Sequence, residues 1–151
     1  MTGPLAFTVA GEPASQGSKK VMRGRLIEAS RKTKPWRAKV TAAAKEARQM
    51  TASPTFTGPV RIRVKFVFAR PKHHYRTGRF SGLLRPNAPY WKTSTPDTDK
   101  ALRAVCDALA DADVYGNDAQ VCDVRAVKVW AAPSSPYPAY CSIEISEAPA
   151  P

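Results

Sequence analysis

The chain has 151 residues, 43% hydrophobic and 24% charged, with a formal net charge of +12. A chain of this length fits one domain, residues 1–151, that buries about two thirds of its unfolded surface without a disulfide or metal staple. It is too apolar for wholesale disorder. It has no apolar run of about 18 residues to cross a membrane, and its three cysteines and N-terminal MTGPLAFTVAGEP lack the pattern of a secreted disulfide scaffold.

In chain order, Leu5 to Ala10 reads as a first strand and Gly11 to Gly24 as a loop carrying Lys19, Lys20 and Arg23. Arg25 follows, then a short extended stretch from Leu26 to Glu28. Pro35 suits the first turn of a helix running to Met50, in which Trp36, Val40, Ala43, Ala44 and Ala47 keep helical spacing while Arg37, Lys45 and Arg48 face elsewhere. Val60 to Phe68 alternates, with Val60, Ile62, Val64, Phe66 and Phe68 on an apolar face and Arg61, Arg63, Lys65 and Val67 on a largely basic one, which predicts a strand. Residues 70–90 form a long basic connection, and loops of that length inside a compact domain usually serve a function.

Thr95-Pro96-Asp97 reads as a helix start, with Thr95 as cap and Pro96 in the first helical position. Leu102, Val105, Cys106 and Leu109 then recur at i, i+3, i+4 and i+7, which predicts an amphipathic helix to about Asp111. A turn at Gly116-Asn117-Asp118 leads into a strand from Val121 to Ala131. Pro133 to Pro138 makes another turn, and Tyr140 to Ile145 is a last strand, expected to pair with the preceding one as a hairpin. The core spans about residues 5–146, with 147–151 as a tail. The order β-α-β-α-β-β predicts an α+β domain, a mixed sheet packed with two helices. Cys106, Cys122 and Cys141 fall in the helix and the last two strands and read as reduced core cysteines.

The charge is unevenly placed. Residues 1–90 hold 19 Lys and Arg against three acids, while residues 91–151 hold five against nine, and seven Asp lie between Asp97 and Asp123. A basic body with one acidic cluster suits an enzyme that cleaves phosphodiesters, since cations hold the phosphates and carboxylates hold a metal. A solubilising basic surface with one acidic helix gives the same count.

On the predicted helix Asp99, Arg103 and Asp107 fall at i, i+4 and i+8 and form one charged stripe, with Asp97 in the first turn. Asp118 reaches the same end only if the fold returns it there. Three carboxylates meeting would make a hard oxygen site for Mg²⁺, with Mn²⁺ as a substitute. Taken singly, each of these acids reads more readily as a dipole, ion-pair or turn residue. His73 and His74 lack ligand spacing and read as phosphate contacts or exposed side chains. Trp36 and Trp130 read as core. Tyr90-Trp91, in a loop before the Asp motif, reads either way.

The run Pro96-Asp97-Thr98-Asp99-Lys100, then Asp107-Ala108-Leu109, then Tyr115-Gly116-Asn117-Asp118-Ala119-Gln120-Val121 and Lys128 resembles the RusA family of Holliday junction resolvases. So do Gly11-Glu12-Pro13 with its basic loop and Arg70-Pro71-Lys72. The resemblance implies a small homodimeric Mg²⁺-dependent endonuclease, bacterial or phage-encoded and cytoplasmic, that binds four-way DNA junctions and nicks opposing strands in recombination and repair. It assigns Asp97, Asp99 and Asp118 as metal-binding catalytic acids and Arg103 as the catalytic cation. Lys19, Lys20, Arg23, Arg25, Arg70, Lys72, Arg76 and Arg79 are expected to grip DNA, with Asp107 and Lys128 as further candidates. Two positions depart from the family pattern: Asn117 stands where an Asp is usual, and Arg103 where a Lys is usual. The alternative reading is a branched-DNA-binding protein that keeps the fold without catalysis.

Overall fold

The strand from Val60 to Phe68 (β4) organises the molecule. In the computed structural model, which describes residues 3–16, 19–22, 25–28 and 31–151, with backbone alone for 19–22 and 25–28, it has partners on both sides. The strand at Val121–Trp130 (β5) pairs with it in parallel, and the strand at Tyr140–Glu147 (β6) pairs with it antiparallel, Ile62 opposite Ile145. The first strand, Leu5–Ala10 (β1), pairs antiparallel with β6, Leu5 opposite Ile145, so the sheet order is β1-β6-β4-β5. The fold is mixed α/β, as the alternation of elements predicts.

The expected β5–β6 hairpin does not form: β6 lies on the far side of β4, and residues 131–139 carry the chain across. Burial explains the choice. Cys141, Ile143 and Ile145 on β6 are fully buried, whereas Val129 is the one fully buried residue of β5, so β6 takes the interior position and β5 the edge. A short Pro-rich link satisfies a hairpin and a crossing equally, and loop length alone cannot separate them.

Part of the predicted Gly11–Gly24 loop is a strand, Lys19–Met22 (β2), which pairs antiparallel with Arg25–Glu28 (β3) in a separate ribbon. Arg23 lies outside the described residues.

Two helices cover one face of the sheet. The first, Thr33–Thr51 (α1), buries Thr33, Trp36, Val40 and Ala44; Pro35 sits in its first turn, where a missing N–H costs nothing. The second, Thr98–Asp111 (α2), buries Ala101, Ala104, Val105, Ala108 and Leu109. It begins later than expected. Thr95 and Pro96 stand outside it, joined by a cis peptide, and Asp97 is the cap residue with extended backbone. The small alanines let α1 and α2 approach closely, so that Thr41 Oγ1 donates to the Ala108 carbonyl at 3.2 Å. Both helices and the apolar face of β4 form one core, where burying a residue such as Leu109 contributes about 1.5–3 kcal/mol.

On the other face Val67, Val129 and Ala131 make a small second cluster beside Tyr140. Of the three cysteines, all free, Cys141 is buried and Cys106 half-buried as expected, but Cys122 is exposed, at the register shift where β5 skips one residue against β4. No helix among the described residues is long and apolar enough to cross a membrane.

Candidate active site

After α2, Asp113 adopts a left-handed conformation, φ 56°, which short polar side chains tolerate, and the chain turns Val114 and Tyr115 into the core. Residues 116–120 then form a tight turn that presents Asp118. Asn117 caps it, its side chain accepting from the Ala119 N–H at 2.8 Å. Gln120 closes it: its Oε1 accepts from the N–H groups of Gly116 (2.9 Å) and Asn117 (3.1 Å), while its Nε2 donates to the carbonyls of Phe56 (3.0 Å) and Gly58 (2.9 Å). This reciprocal capping box ties the turn to the segment before β4. Asn117 therefore has a structural use in place of the family's usual Asp.

The turn brings Asp118 near enough to Asp107 on α2 for the two carboxyls to interact. Burial raises the Asp118 pKa, and the neighbouring Asp107 raises it further through charge and hydrogen bonding; the Tyr115 hydroxyl and the Arg37 charge oppose the rise. Tyr115 is fully buried and donates to the Cys106 carbonyl at 2.8 Å. Burial also pushes the Cys106 thiol up to about 11, so it stays protonated near neutral pH.

Two residues that sequence reasoning passed over complete this cluster. Gln16 is buried and its Nε2 donates to Asp107 Oδ2, while its backbone N–H is fixed on the Lys100 carbonyl at 3.0 Å. Arg37 of α1 places Nη1 3.9 Å from Asp107 and donates from Nε to Asp111 at 2.7 Å. Helical spacing marks Arg37 as off the apolar face, but only the docking of α1 on α2 aims it at the acids. Beside them lies a groove of about 650 Å³ lined by Gln16, Lys34, Arg37, Thr41, Lys45 and Asp111, with lysines along its rim.

Asp97 and Asp99 stand at the other end of α2, both exposed; Asp97 is 3.4 Å from Lys100. Asp99 and Asp107 share the helix stripe, about 12 Å apart along the axis at 1.5 Å per residue. Arg103 lies between them and is exposed. Among the described residues no group of three or more His, Cys, Asp or Glu side chains is placed to share a metal ion. The acids that meet are Asp107 and Asp118.

Lys128 of β5 approaches the start of α2: its Nζ donates to the carbonyls of Ser94 (2.5 Å) and Pro96 (2.6 Å). Lys92 holds the same turn from the other side, donating to Ser94 Oγ and the Thr95 carbonyl, with its ammonium 4.8 Å from the centre of the Trp130 ring.

Of the basic positions in the 70–90 connection, Arg70 braces the loop, donating to the carbonyls of Ala131 and Pro89, both at 2.7 Å. Lys72, Arg76 and Arg79 are exposed. His74 is not exposed as expected: it is buried edge-to-face against Trp130 and 3.4 Å from Arg70, and burial lowers its pKa. The surrounding basic sequence conceals this contact, because its aromatic partner lies on β5. Trp36 and Trp130 pack against the core as expected; Trp91 is exposed.

The structure thus combines a basic body, four acids (Asp97, Asp99, Asp107 and Asp118) on α2 and beside its two ends, and a capped turn that sets one acid near another. Residues 10–135 match the family model of the endodeoxyribonuclease RusA. No curated protein matches the chain. With the match covering most of its length, the chain belongs to the RusA endodeoxyribonuclease family and is a nuclease that hydrolyses phosphodiester bonds.

Proposed function

We propose that the protein is a divalent-metal-dependent resolvase that cuts four-way DNA junctions by paired nicks, acting as a homodimer. The observation that carries this reading is the meeting of Asp107 and Asp118 beside Gln16 and Arg37, within a chain that is otherwise strongly basic. The donor set fits a hard cation. It is all carboxylate, and the like charges of Asp107 and Asp118 are only partly offset by Arg37, so a cation would relieve them.

Asp118 and Asp107 would hold the metal; Asp97 and Asp99, which the family likeness assigns with Asp118, stand at the other end of α2 and would join them only if the binding of metal and junction draws that end closer. Mg²⁺ is the proposed ion and Mn²⁺ its substitute. When bound, the cation supplies Lewis acidity towards a phosphate oxygen and lowers the pKa of a water. The chain's own groups do the rest. Gln16 fixes the orientation of Asp107, and the capping box holds Asp118 in place. Arg103, exposed midway along the acidic stripe, meets the charge that develops on the phosphate. Arg keeps that charge permanently and so serves as an electrostatic group rather than a proton donor.

DNA arms would be gripped through their phosphates by Lys19, Lys20, Arg23 and Arg25 and by Lys72, Arg76 and Arg79, with Arg70 as the brace of the second group. Such contacts position the duplex without reading sequence. Two nicks on opposing strands need two sites, and each chain offers one acidic cluster. A two-fold dimer therefore matches the symmetry of the junction.

Incubation of the protein with a synthetic four-way junction, with and without Mg²⁺, tests the reading. Symmetric nicks that appear only with the metal are expected. Binding without nicking in Mg²⁺ or Mn²⁺ would overturn it in favour of a binding protein. Sedimentation at micromolar concentration tests the dimer, which a monomer making coordinated nicks would refute.

A further inference from the structure

Seven large hydrophobic side chains are exposed among the described residues, and four of them, Phe80, Leu83, Tyr90 and Trp91, lie in the single connection between β4 and α2. Scattered exposed apolar groups carry no meaning. These are concentrated and interleaved with cations: the Arg79 guanidinium lies 4.8 Å over the Phe80 ring, and no acidic residue occurs between Glu46 and Asp97.

Tyr90 and Trp91 form the ordered part of this surface. Their rings meet edge to face, centroids 4.9 Å apart and planes at 87°, with each residue more than half exposed. The backbone beneath them is fixed. Trp91 bridges to Val129, the Trp130 N–H donates to the Tyr90 carbonyl at 3.0 Å, and the Lys92 N–H donates to the Lys128 carbonyl at 3.1 Å. Residues 90–92 thus extend the sheet beyond β5 and hold two aromatic rings outward from a rigid edge. Lys92 and Lys128 then clasp residues 94–96, so the pair is joined by a short, tied segment to Asp97.

A rigid aromatic pair in a chain segment that carries cations and no carboxylate before Asp97 suits a polyanion that also offers aromatic faces. Duplex DNA keeps its base faces stacked away; a branch point exposes them. We propose that Tyr90 and Trp91 form a stacking platform for a base unstacked at the branch point, and that this contact makes the protein prefer branched over linear DNA. The proposal rests on the reading of the protein as a junction nuclease. Each base stacked on an aromatic side chain contributes about 1–3 kcal/mol, about 5- to 150-fold in affinity.

The test uses the full chain and its variants Trp91→Ala, Trp91→Phe and Tyr90→Ala, with a four-way junction carrying 2-aminopurine at the branch and a linear duplex of the same length. The side chains are exposed, so the variants should fold, and circular dichroism checks this. Tryptophan fluorescence of the wild type should be quenched more by junction than by duplex, and 2-aminopurine emission should change on binding. Trp91→Ala should abolish the differential quenching and lower the ratio of junction to duplex affinity by about 5- to 150-fold, with Trp91→Phe retaining most of that ratio. An unchanged ratio in Trp91→Ala would overturn the platform. So would a loss of self-association in Trp91→Ala with the 2-aminopurine response intact, which would assign the surface to a second copy of the chain. A wild type that never nicks but shows the Trp91-dependent response refutes the nuclease reading alone; one that nicks and keeps its preference without Trp91 refutes the platform alone.

Discussion

The ammonium of Lys128 on β5 donates to the carbonyl of Pro96 at 2.6 Å, immediately before the cap residue of α2. An edge strand thereby fixes the entry of the helix that carries the acids. Lys92 joins it there, and burial together with the charge of Lys128 lowers the Lys92 pKa, so two cations share one small turn.

Removing the charge from that turn should misplace Asp97 and Asp99 while leaving the DNA-gripping surfaces intact. Lys128→Met is expected to lower kcat about 10- to 100-fold, since small misplacements of catalytic groups cost that much, with KM for junction DNA little changed. Lys128→Arg should recover part of the loss. Single-turnover nicking alongside binding assays would show the split, and equal losses in kcat and KM would make Lys128 a DNA contact instead.

Substituting the acids one at a time separates the family's assignment from the observed pairing. Asp97→Asn, Asp99→Asn and Asp118→Asn should each abolish nicking, a fall of at least about a hundredfold, with junction binding intact or tighter because negative charge is removed. Asp107→Asn should also slow nicking. Near wild-type nicking by any variant removes that residue from the proposed metal-holding set.

The capping box makes a stability prediction independent of DNA. Gln120→Ala removes four hydrogen bonds and should cost about 1–3 kcal/mol. Asn117→Asp keeps an equally good cap and should lie within about 0.5 kcal/mol of wild type. Urea titration of the two variants distinguishes these outcomes.

Strands and helices were legible where a residue's partners share its own element. β4 follows from its alternation, and the body of α2 from its i, i+3, i+4 spacing. What depends on distant partners was hidden. Gln16 meets Asp107 across 91 residues and Arg61 meets Asp123 across 62, and nothing local announces either pair. The place of β6 depended on competition for the interior, which its own pattern signals only as strong burial. The acids themselves stood out by composition and motif, while the choice of Asp107 as the neighbour of Asp118 needed the turn after α2.

On the opposite face of the sheet Asp123 accepts from Arg61 at 2.7 Å and from Arg63 at 3.0 Å, and hydrogen bonding to Arg63, then Arg61, lowers its pKa. A lowered folded-state pKa contributes stability above the unfolded value, near 3.9, that is lost as pH falls through the folded value. Wild type should therefore lose more melting temperature between pH 6 and pH 2.5 than Asp123→Asn. Identical losses would show that the pair is neutral to folding.

Junction affinity should fall steeply with added salt, as phosphate-bound cations release counterions. Neutralising Lys19, Lys20 and Arg23 together should flatten the slope of log affinity against log salt by up to about three. An unchanged slope would place the DNA elsewhere, with the 70–90 connection as the next surface to neutralise.

The pairing of Leu5 with Ile145 has a consequence for how the polypeptide can be rewired. β1 and β6 run side by side in opposite directions, so residues 5 and 145 lie against each other across one ladder. A short linker joining these ends would span little distance, and new termini could be opened at the exposed Ser81-Gly82 tip of the long connection. In such a circular permutant the strand order, the capped turn and the acid pair are all preserved. The permutant's break then falls within the β4–α2–β5 unit, between β4 and α2, where the wild-type chain is continuous, and comparing their nicking would show whether that unit needs the connection through residues 70–90 to be unbroken.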